Sequence, residues 1–326
     1  MSKRPFFIGS QPLANNVLYA PLAGCSDLPF RKMSCRNRRP GLVYCEMVKM
    51  EALIRNIAGT YRMLEYEADM HPIGAQLCGS NPKIAAQAAK IIEDLGFDVL
   101  DFNCGCPVDK VTKDGSGSGM LKTPALIGEV LSELVATVKI PVTVKIRAGW
   151  DEKSINAAEI TQIAEKAGAK AIAIHGRTRA QGYSGFANWE HIKACKAAAK
   201  EILVIGNGDV FDAESALRMF DFTGCDAVLA ARGTMGQPWI AEDILRALEG
   251  ASPILRTVEG LRSALFEHLE YIVQYQPERQ ALLDMRRVAC WYLKRLPQVK
   301  ELRNRINHSA TTTEVFQHIE QFNRDL

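Results

Sequence analysis

Long hydrophobic runs, paired cysteine motifs and a strong net charge are all missing from this chain. No stretch approaches the roughly 18 consecutive apolar residues that a membrane span needs. Lys3 and Arg4 near the start have no apolar run behind them, so the segment does not read as a signal peptide. Nine cysteines stand at positions 25, 35, 45, 78, 104, 106, 195, 225 and 290, an odd number without any Cys-x-x-Cys pair. That argues against a disulfide framework, a zinc ribbon or an iron–sulfur site, and no metal is expected. It also points to a reducing, cytoplasmic compartment. No Gly-x-Gly-x-x-Gly follows a strand, which disfavours a Rossmann nucleotide site. Gly115-Ser116-Gly117-Ser118-Gly119 lacks the Gly-Lys-Ser/Thr ending of a P-loop and reads as a mobile loop. A net charge of +3 over 326 residues does not by itself announce a nucleic-acid partner.

What is present is an ordinary globular composition, 47% hydrophobic and 24% charged, in a chain long enough for a large core. Short apolar, β-branched runs at Val17–Pro21, Leu42–Glu46, Ile73–Leu77, Val99–Asn103, Val142–Ile146, Ala171–His175, Leu203–Gly206 and Ala227–Ala230 predict eight strands. Each gap is long enough for a helix, and Pro82–Leu95 and Ala157–Ala167 carry the 3.6-residue period. Strands that are apolar throughout suit a parallel sheet covered by helices. Eight such units predict an α/β fold, a TIM (β/α)8 barrel over residues 1–240. From Ala241 to Leu326 the chain shows helical patterns and no convincing strand. Helices are expected at Phe266–Tyr275, Ala281–Lys294, Gln298–Asn307 and Thr313–Phe322, the last opening on a capping box at Thr311 to Glu314. Residues 241–326 therefore read as a small C-terminal helical bundle.

Function in such a barrel sits at the C-terminal strand ends. The predicted strands end in polar or glycine-rich groups: Pro21-Leu22-Ala23-Gly24, Glu46, Gln76, Asp101 to Pro107, Lys145 with Arg147, His175-Gly176-Arg177, Asn207-Gly208-Asp209 and Ala231-Arg232-Gly233. A tight turn would explain one glycine pair. Two glycine loops after strands 7 and 8, with Arg232 as a charged fork, favour a phosphate site. Lys145 on an apolar strand needs an anion or an electron-rich ligand. With Gln76 and His175 on neighbouring strands, a flavin ring fits: one edge wants a cation, the other an amide. Cys106 stands between Gly105 and Pro107 on an exposed, fixed backbone, where a thiol can act over a cofactor as nucleophile or general acid. Cys25, Cys35, Cys78, Cys195, Cys225 and Cys290 read as small buried hydrophobes.

Leu100-Asp101-Phe102-Asn103-Cys104-Gly105-Cys106-Pro107, followed by Gly117-Ser118, resembles the signature of the dihydrouridine synthases, flavin enzymes that reduce uridine in tRNA. The resemblance runs through Pro21–Gly24, Gln76, Lys145-Ile146-Arg147, His175 to Arg179, Asn207-Gly208-Asp209 and Gly236-Gln237-Pro238-Trp239 into Trp291–Lys294 and Arg305–His308. It covers nearly the whole chain, and the tail looks closest to the bacterial B-type branch. Three positions depart from the family pattern: Leu22 where Met is usual, Phe102 where an aliphatic residue is usual, and Ala231 in place of a glycine before Arg232.

The resemblance implies FMN across the barrel mouth. Its phosphate would be held by Asn207, Gly208, Asp209, Ala231 and Arg232, its ring by Pro21, Leu22, Ala23, Gln76 and Lys145, with His175 nearby. NADPH would reduce the flavin, and a tRNA uridine flipped out of its stack would enter the pocket. Hydride would go to C6 and a proton from Cys106 to C5, so Cys106 must carry its proton. Asn103, Arg147 and Arg177 would contact the substrate. Charge by region adds the tail: from Ala241 onward 12 Lys and Arg balance 12 Asp and Glu, yet Arg286–Arg305 holds seven cations against Glu301. Arg286 and Arg287 are therefore expected to meet tRNA, and Arg31, Lys32, Arg36, Arg38 and Arg39 form a second basic cluster. A monomer is expected, since tRNA would occupy much of the surface. Two other readings remain open: an FMN barrel oxidoreductase on a small molecule, similar to dihydroorotate dehydrogenase, and a non-catalytic RNA-binding regulator.

Overall fold

The computed structural model describes residues 6–36, 38–294 and 296–321. Two short strands, β1 (Phe6–Ile8) and β2 (Gln11–Leu13), come before eight that form one all-parallel sheet. The eight are β3 (Val17–Tyr19), β4 (Val43–Lys49), β5 (Ile73–Cys78), β6 (Val99–Cys104), β7 (Val142–Arg147), β8 (Ala171–His175), β9 (Leu203–Asn207) and β10 (Ala227–Ala230). Their order is β3-β10-β9-β8-β7-β6-β5-β4, and a parallel bridge between Leu18 and Leu42 closes the ring. This is the (β/α)8 barrel that the strand count predicts. Alternation along each strand builds two cores. Leu18, Ala20, Val99, Ala171, Ile205 and Leu229 fill the barrel interior, while Val17, Leu100, Ile172 and Val228 face the helices outside.

The helices obey local sequence logic. Asn81 caps the helix Pro82–Asp94 by accepting from Lys83 N–H at 3.0 Å, proline opens its first turn, and Ala85, Ala88, Ala89 and Ile92 form the buried face.

Two features depart from the sequence reading. The strands β1 and β2 pair as an antiparallel hairpin that the strand count did not include. Its Ile8 and Leu13 are buried among the interior residues and plug the barrel's N-terminal end. The glycine-rich segment expected to be a mobile loop is a buried 3-10 turn, Gly117–Lys122, packed beneath the β6 loop. Gly117 explains the need for glycine there: a Cβ would lie 2.8 Å from Val111 Cγ1 and 2.9 Å from the Cys106 carbonyl.

The helix Ile240–Leu248 packs into the outer barrel core through Ile240, Ala241, Ile244 and Leu245. Four further helices, Val258–Tyr275, Glu278–Leu293, Lys300–His308 and Thr312–Gln321, enclose a separate core around Leu269, Met285, Tyr292 and Ile306. Thr311 caps the last one, accepting from Glu314 N–H at 3.2 Å, while Glu314 reaches back to Ala310 N–H at 2.6 Å. The expected end of that helix at Phe322 lies outside the described residues. Tyr19 ties β3 to the start of the helix Ile240–Leu248: its hydroxyl donates to the Pro238 carbonyl at 2.8 Å and accepts from Ala241 N–H at 2.8 Å. Among the described residues no helix is long and apolar enough to cross a membrane.

Candidate active site at the barrel mouth

The parallel register decides which side chains meet. Gln76 pairs with Asp101, Asp101 with Thr143, Asn103 with Lys145, and Arg147 with His175, so polar residues two apart on each strand stack in layers at the C-terminal end. Gln76 and the upper pairs, Asn103 with Lys145 and Arg147 with His175, border a cavity of about 300 Å³. Its wall brings together Pro21, Leu22 and Ala23 from the first loop, Gln76 and Asn103 from β5 and β6, Cys106 from the loop after β6, and Lys145, Arg147 and His175 from β7 and β8. Asn207, Gly208, Asp209, Ala231 and Arg232 complete it. Three of the expected site residues lie elsewhere. Arg177 is buried beside the mouth, and Arg286 and Arg287 sit on the helix Glu278–Leu293.

β4 runs past its expected end at Glu46. A bulge between Tyr44 and Met47 lets Met47 line the cavity and turns Glu46 aside to accept from Gly24 N–H.

The cysteine turn is pinned from two sides. Asn103 Oδ1 accepts from Gly105 N–H at 3.1 Å and Cys106 N–H at 3.0 Å. The Cys106 carbonyl accepts from Ser118 N–H at 3.0 Å and Ser118 Oγ at 2.8 Å. Cys106 is half-buried at the cavity wall, whereas Cys104 is fully buried. Arg147 holds the same turn from a third direction, through Nε to the Gly105 carbonyl at 2.9 Å. Its Nη1 donates to Thr178 O at 2.9 Å and Gly182 O at 2.8 Å. Most of this guanidinium is spent on the protein's own backbone.

Lys145 makes no hydrogen bond or ion pair among the described residues. Burial, helped by the Arg147 charge and opposed by Asp101, brings its pKa down to about 8. Asp101 below it is pushed up to about 6 by burial, opposed by bonds from Thr143 and Gln76. His175 is held far below its ordinary value by burial and by Lys145, Arg147, Arg177 and Arg232. It is therefore a neutral imidazole. Arg177 Nη1 lies 3.4 Å from His175 Nε2 and can only donate, which makes that nitrogen the acceptor.

The loops after β9 and β10 form a donor cradle. The N–H groups of Gly208, Asp209, Arg232 and Gly233 find no acceptor among the described residues. Gly208 has φ +117°, and a Cβ there would meet Ala187 Cβ at 2.7 Å and His175 Cδ2 at 2.9 Å. The Asp209 carboxylate does not face a ligand. It takes both Arg177 Nη atoms at 2.8 Å, Arg232 Nη2 at 3.2 Å and Ala187 N–H at 2.7 Å. Arg177, 2% exposed, is the buried strut of this loop. Sequence reasoning missed Tyr183, whose ring lies 4.4 Å from the Arg232 guanidinium and 5.5 Å from that of Arg147, and Phe211 on the same rim. Both are partly exposed aromatics in loops after β8 and β9, a placement that could have marked them.

On the helical part, Arg286 donates to the Ser309 carbonyl and Arg287 pairs with buried Asp284 at 2.7 Å. The second basic cluster is likewise engaged. Lys32 pairs with Glu67, Arg36 with Glu267 and Arg38 with Glu249, while Arg31 and Arg39 donate to backbone carbonyls.

Comparison with known proteins identifies the family. The family model described as dihydrouridine synthase (Dus) matches residues 18–325. "tRNA-dihydrouridine synthase B" of Pseudomonas aeruginosa is 36% identical over 316 residues, 97% of this chain and 95% of that one. "Probable tRNA-dihydrouridine synthase 1" of Synechocystis is 37% identical over 304 residues, covering 93% and 85%. The Vibrio cholerae "tRNA-dihydrouridine synthase B" is 34% identical over 97% of this chain and 98% of its own. Among solved structures, a morphinone reductase variant in complex with tetrahydroNAD superposes with TM-score 0.53 at 14% identity, covering 79% of this chain and 93% of that one. Histamine dehydrogenase from Rhizobium sp. 4-9 gives 0.57 at 14%, covering 82% and 50%, and likewise shares the fold. With a family model spanning nearly its full length and relatives above 30% identity end to end, this chain belongs to the dihydrouridine synthase family.

Proposed function

We propose that this chain reduces uridine to dihydrouridine in tRNA, with FMN bound at the barrel mouth and NADPH as reductant. The observation that carries the reading is Cys106, fixed at the wall of the same cavity that offers an unpartnered lysine and a cradle of free N–H groups. The names of the relatives support the substrate.

The residues fit FMN. Lys145 supplies the cation that an electron-rich ring edge requires, and one Gln76 N–H remains for the other edge. The N–H groups of Gly208, Asp209, Arg232 and Gly233, with the Arg232 fork, suit a phosphate. Ala231 keeps its place before Arg232 despite lacking the family's glycine. Bound FMN supplies hydride transfer between NADPH and the substrate. Cys106 gives the proton: its S–H bond breaks as C5 of the uracil gains hydrogen, while C6 takes the hydride, so two hydrogens add across C5=C6. The thiolate is reprotonated from solvent, which its partial exposure allows. Asn103 and Arg147 act on the turn that carries this thiol. Tyr183, Val108 and Phe211 form an exposed, largely apolar rim to the cavity. Neutral His175 accepts from Arg177 and adds no charge to the pocket.

The barrel is the catalytic part and the C-terminal helices the part that holds RNA. The divide sits best in residues 251–257, because the helix Ile240–Leu248 belongs to the barrel core. A monomer in the cytoplasm fits a tRNA substrate. The decisive experiment uses tRNA lacking dihydrouridine. The purified protein should carry FMN, consume NADPH beyond one equivalent per flavin in the absence of oxygen only when that tRNA is present, and leave dihydrouridine detectable by mass spectrometry. Cys106→Ala should keep FMN and its reduction by NADPH but form no product. Wild-type turnover by Cys106→Ala would sink the proton-donor role, and NADPH oxidation blind to tRNA would favour a small-molecule substrate.

A further inference from the structure

The turn that carries Cys106 is set by a chain of buried polar groups rising from inside the barrel, and the geometry points to Asp101 as the positioning residue that fixes its direction. This deepens the dihydrouridine reading and rests on it for the chemistry at Cys106. Asp101 is 3% exposed and does not line the cavity. It accepts twice, from Thr143 Oγ1 at 2.5 Å and from Gln76 Nε2 at 2.6 Å. Each carboxylate oxygen takes one donor, so Gln76 turns its amide nitrogen towards Asp101. Gln76 Oε1 then faces Asn103, which answers with Nδ2 at 2.7 Å. That leaves Asn103 Oδ1 for the turn, where it accepts the N–H groups of Gly105 and Cys106 at 3.1 and 3.0 Å.

The two carboxamides cannot choose a direction alone, because their oxygen and nitrogen ends have nearly the same shape. Reversing one sets like against like at the bond between them. Reversing both keeps that bond but puts oxygen against oxygen at Asp101 and N–H against N–H at the cysteine turn. Asp101, accepting on both oxygens, therefore enforces from inside the barrel the same arrangement that the donor N–H groups of the turn require, the one in which Asn103 can hold Cys106. The same arrangement leaves Gln76 with a spare N–H, a donor, at the cavity wall. Asp101 acts on the thiol through three hydrogen bonds and never touches substrate.

The test compares two substitutions in the FMN-loaded protein. Asp101→Leu removes both acceptors and keeps the branch at Cγ. In Asp101→Asn the side-chain oxygen can still accept from Gln76 while its NH2 donates to the Thr143 hydroxyl, so direction survives without charge. One readout is the rate at which iodoacetamide alkylates Cys106, tracked by peptide mass spectrometry. The other is reoxidation of the reduced flavin by tRNA lacking dihydrouridine. Asp101→Leu should shift the alkylation rate and slow reoxidation by about tenfold to a hundredfold, the scale of a misplaced reacting group. Flavin reduction by NADPH should stay within about twofold of wild type, since that step does not use Cys106. Asp101→Asn should restore both Cys106 readouts. Wild-type alkylation in Asp101→Leu overturns the proposal. So does an Asp101→Asn protein as impaired as Asp101→Leu, which would assign the effect to charge. If Asp101→Leu does not fold, Gln76→Met cuts the chain at its middle, and unchanged alkylation there overturns the proposal equally. Alkylation needs no tRNA. Should wild-type reduced flavin ignore tRNA, the dihydrouridine reading falls while the positioning role is still judged.

Discussion

At the scale of single residues, the sequence marked where chemistry gathers but not what each group touches. The polar strand ends from Gln76 to Arg232 gather at the mouth through the parallel register, with Asp101 buried beneath it and Arg177 beside it. Arg147 and Arg177, read as substrate contacts, spend their donors on carbonyls and on Asp209, and no pattern in a linear sequence distinguishes a strut from a contact. Two substitutions separate these roles. Gly208→Ala forces a side chain into a left-handed φ of +117° and against His175. Strain of about 1–3 kcal/mol at that loop should weaken FMN at least several-fold, read as flavin retained through dialysis and as a raised dissociation constant. Arg177→Leu leaves the Asp209 carboxylate short of its bidentate partner. It should destabilise the fold by about 3–5 kcal/mol in urea unfolding, the usual loss when a buried pair is broken. A variant of unaltered stability that loses only tRNA turnover would return Arg177 to the substrate.

At the scale of elements, legibility tracked size and regularity. The eight parallel strands are apolar on both faces, so each stands out as a run. The β1–β2 hairpin has three residues per strand, with Pro12 inside one of them, too short for any period to show. The 117–122 turn escaped because glycine and serine are read as flexible, whereas here glycines permit close packing under Cys106. The hairpin is nonetheless the barrel's lower plug. Ile8→Ala should cost about 2–4 kcal/mol of stability, from lost burial plus a cavity, with FMN binding unchanged at the opposite end. In the helical part, His268 is 2% exposed, with Nδ1 3.1 Å from the Tyr292 hydroxyl, and burial holds its pKa at about 3. A base whose pKa falls on folding binds more protons unfolded. Its contribution is complete above about pH 6.5 and drains as pH falls from there towards about 3. Asp27 and Asp101, raised by burial to about 7 and about 6, work the other way and gain stability as pH falls. Comparison with His268→Phe isolates the histidine. Between pH 7 and pH 5 the wild type should lose about 2 kcal/mol more than the variant in urea midpoints, and parallel curves would contradict a neutral buried imidazole.

At the scale of the whole molecule, charge is where the linear reading and the folded chain diverge most. A sequence counts formal charges, while a nucleic acid meets only those left over after folding. The cluster from Arg31 to Arg39 is spent on Glu67, Glu249, Glu267 and backbone carbonyls, although it looks as basic in the sequence as the tail does. Arg286 and Arg287 stitch the helix Glu278–Leu293 to Ser309 and Asp284, so reversing them would confuse folding with binding. Arg295 lies outside the described residues. What remains is Lys294 and Lys300, both exposed and without an ion-pair partner among the described residues, with Arg303 and Arg305 half-buried beside them. Each lysine that neutralises a phosphate contributes a little under one unit to the slope of log affinity against log salt. Lys294→Gln with Lys300→Gln should therefore lower the tRNA salt slope by about two, and leave FMN content as it was. Arg36→Gln with Arg38→Gln removes the same formal charge from residues already paired, and should change the slope hardly at all. The reverse order of effects would place the RNA on the loop that follows the barrel's first helix, Leu28–Ser34, instead of on the C-terminal bundle.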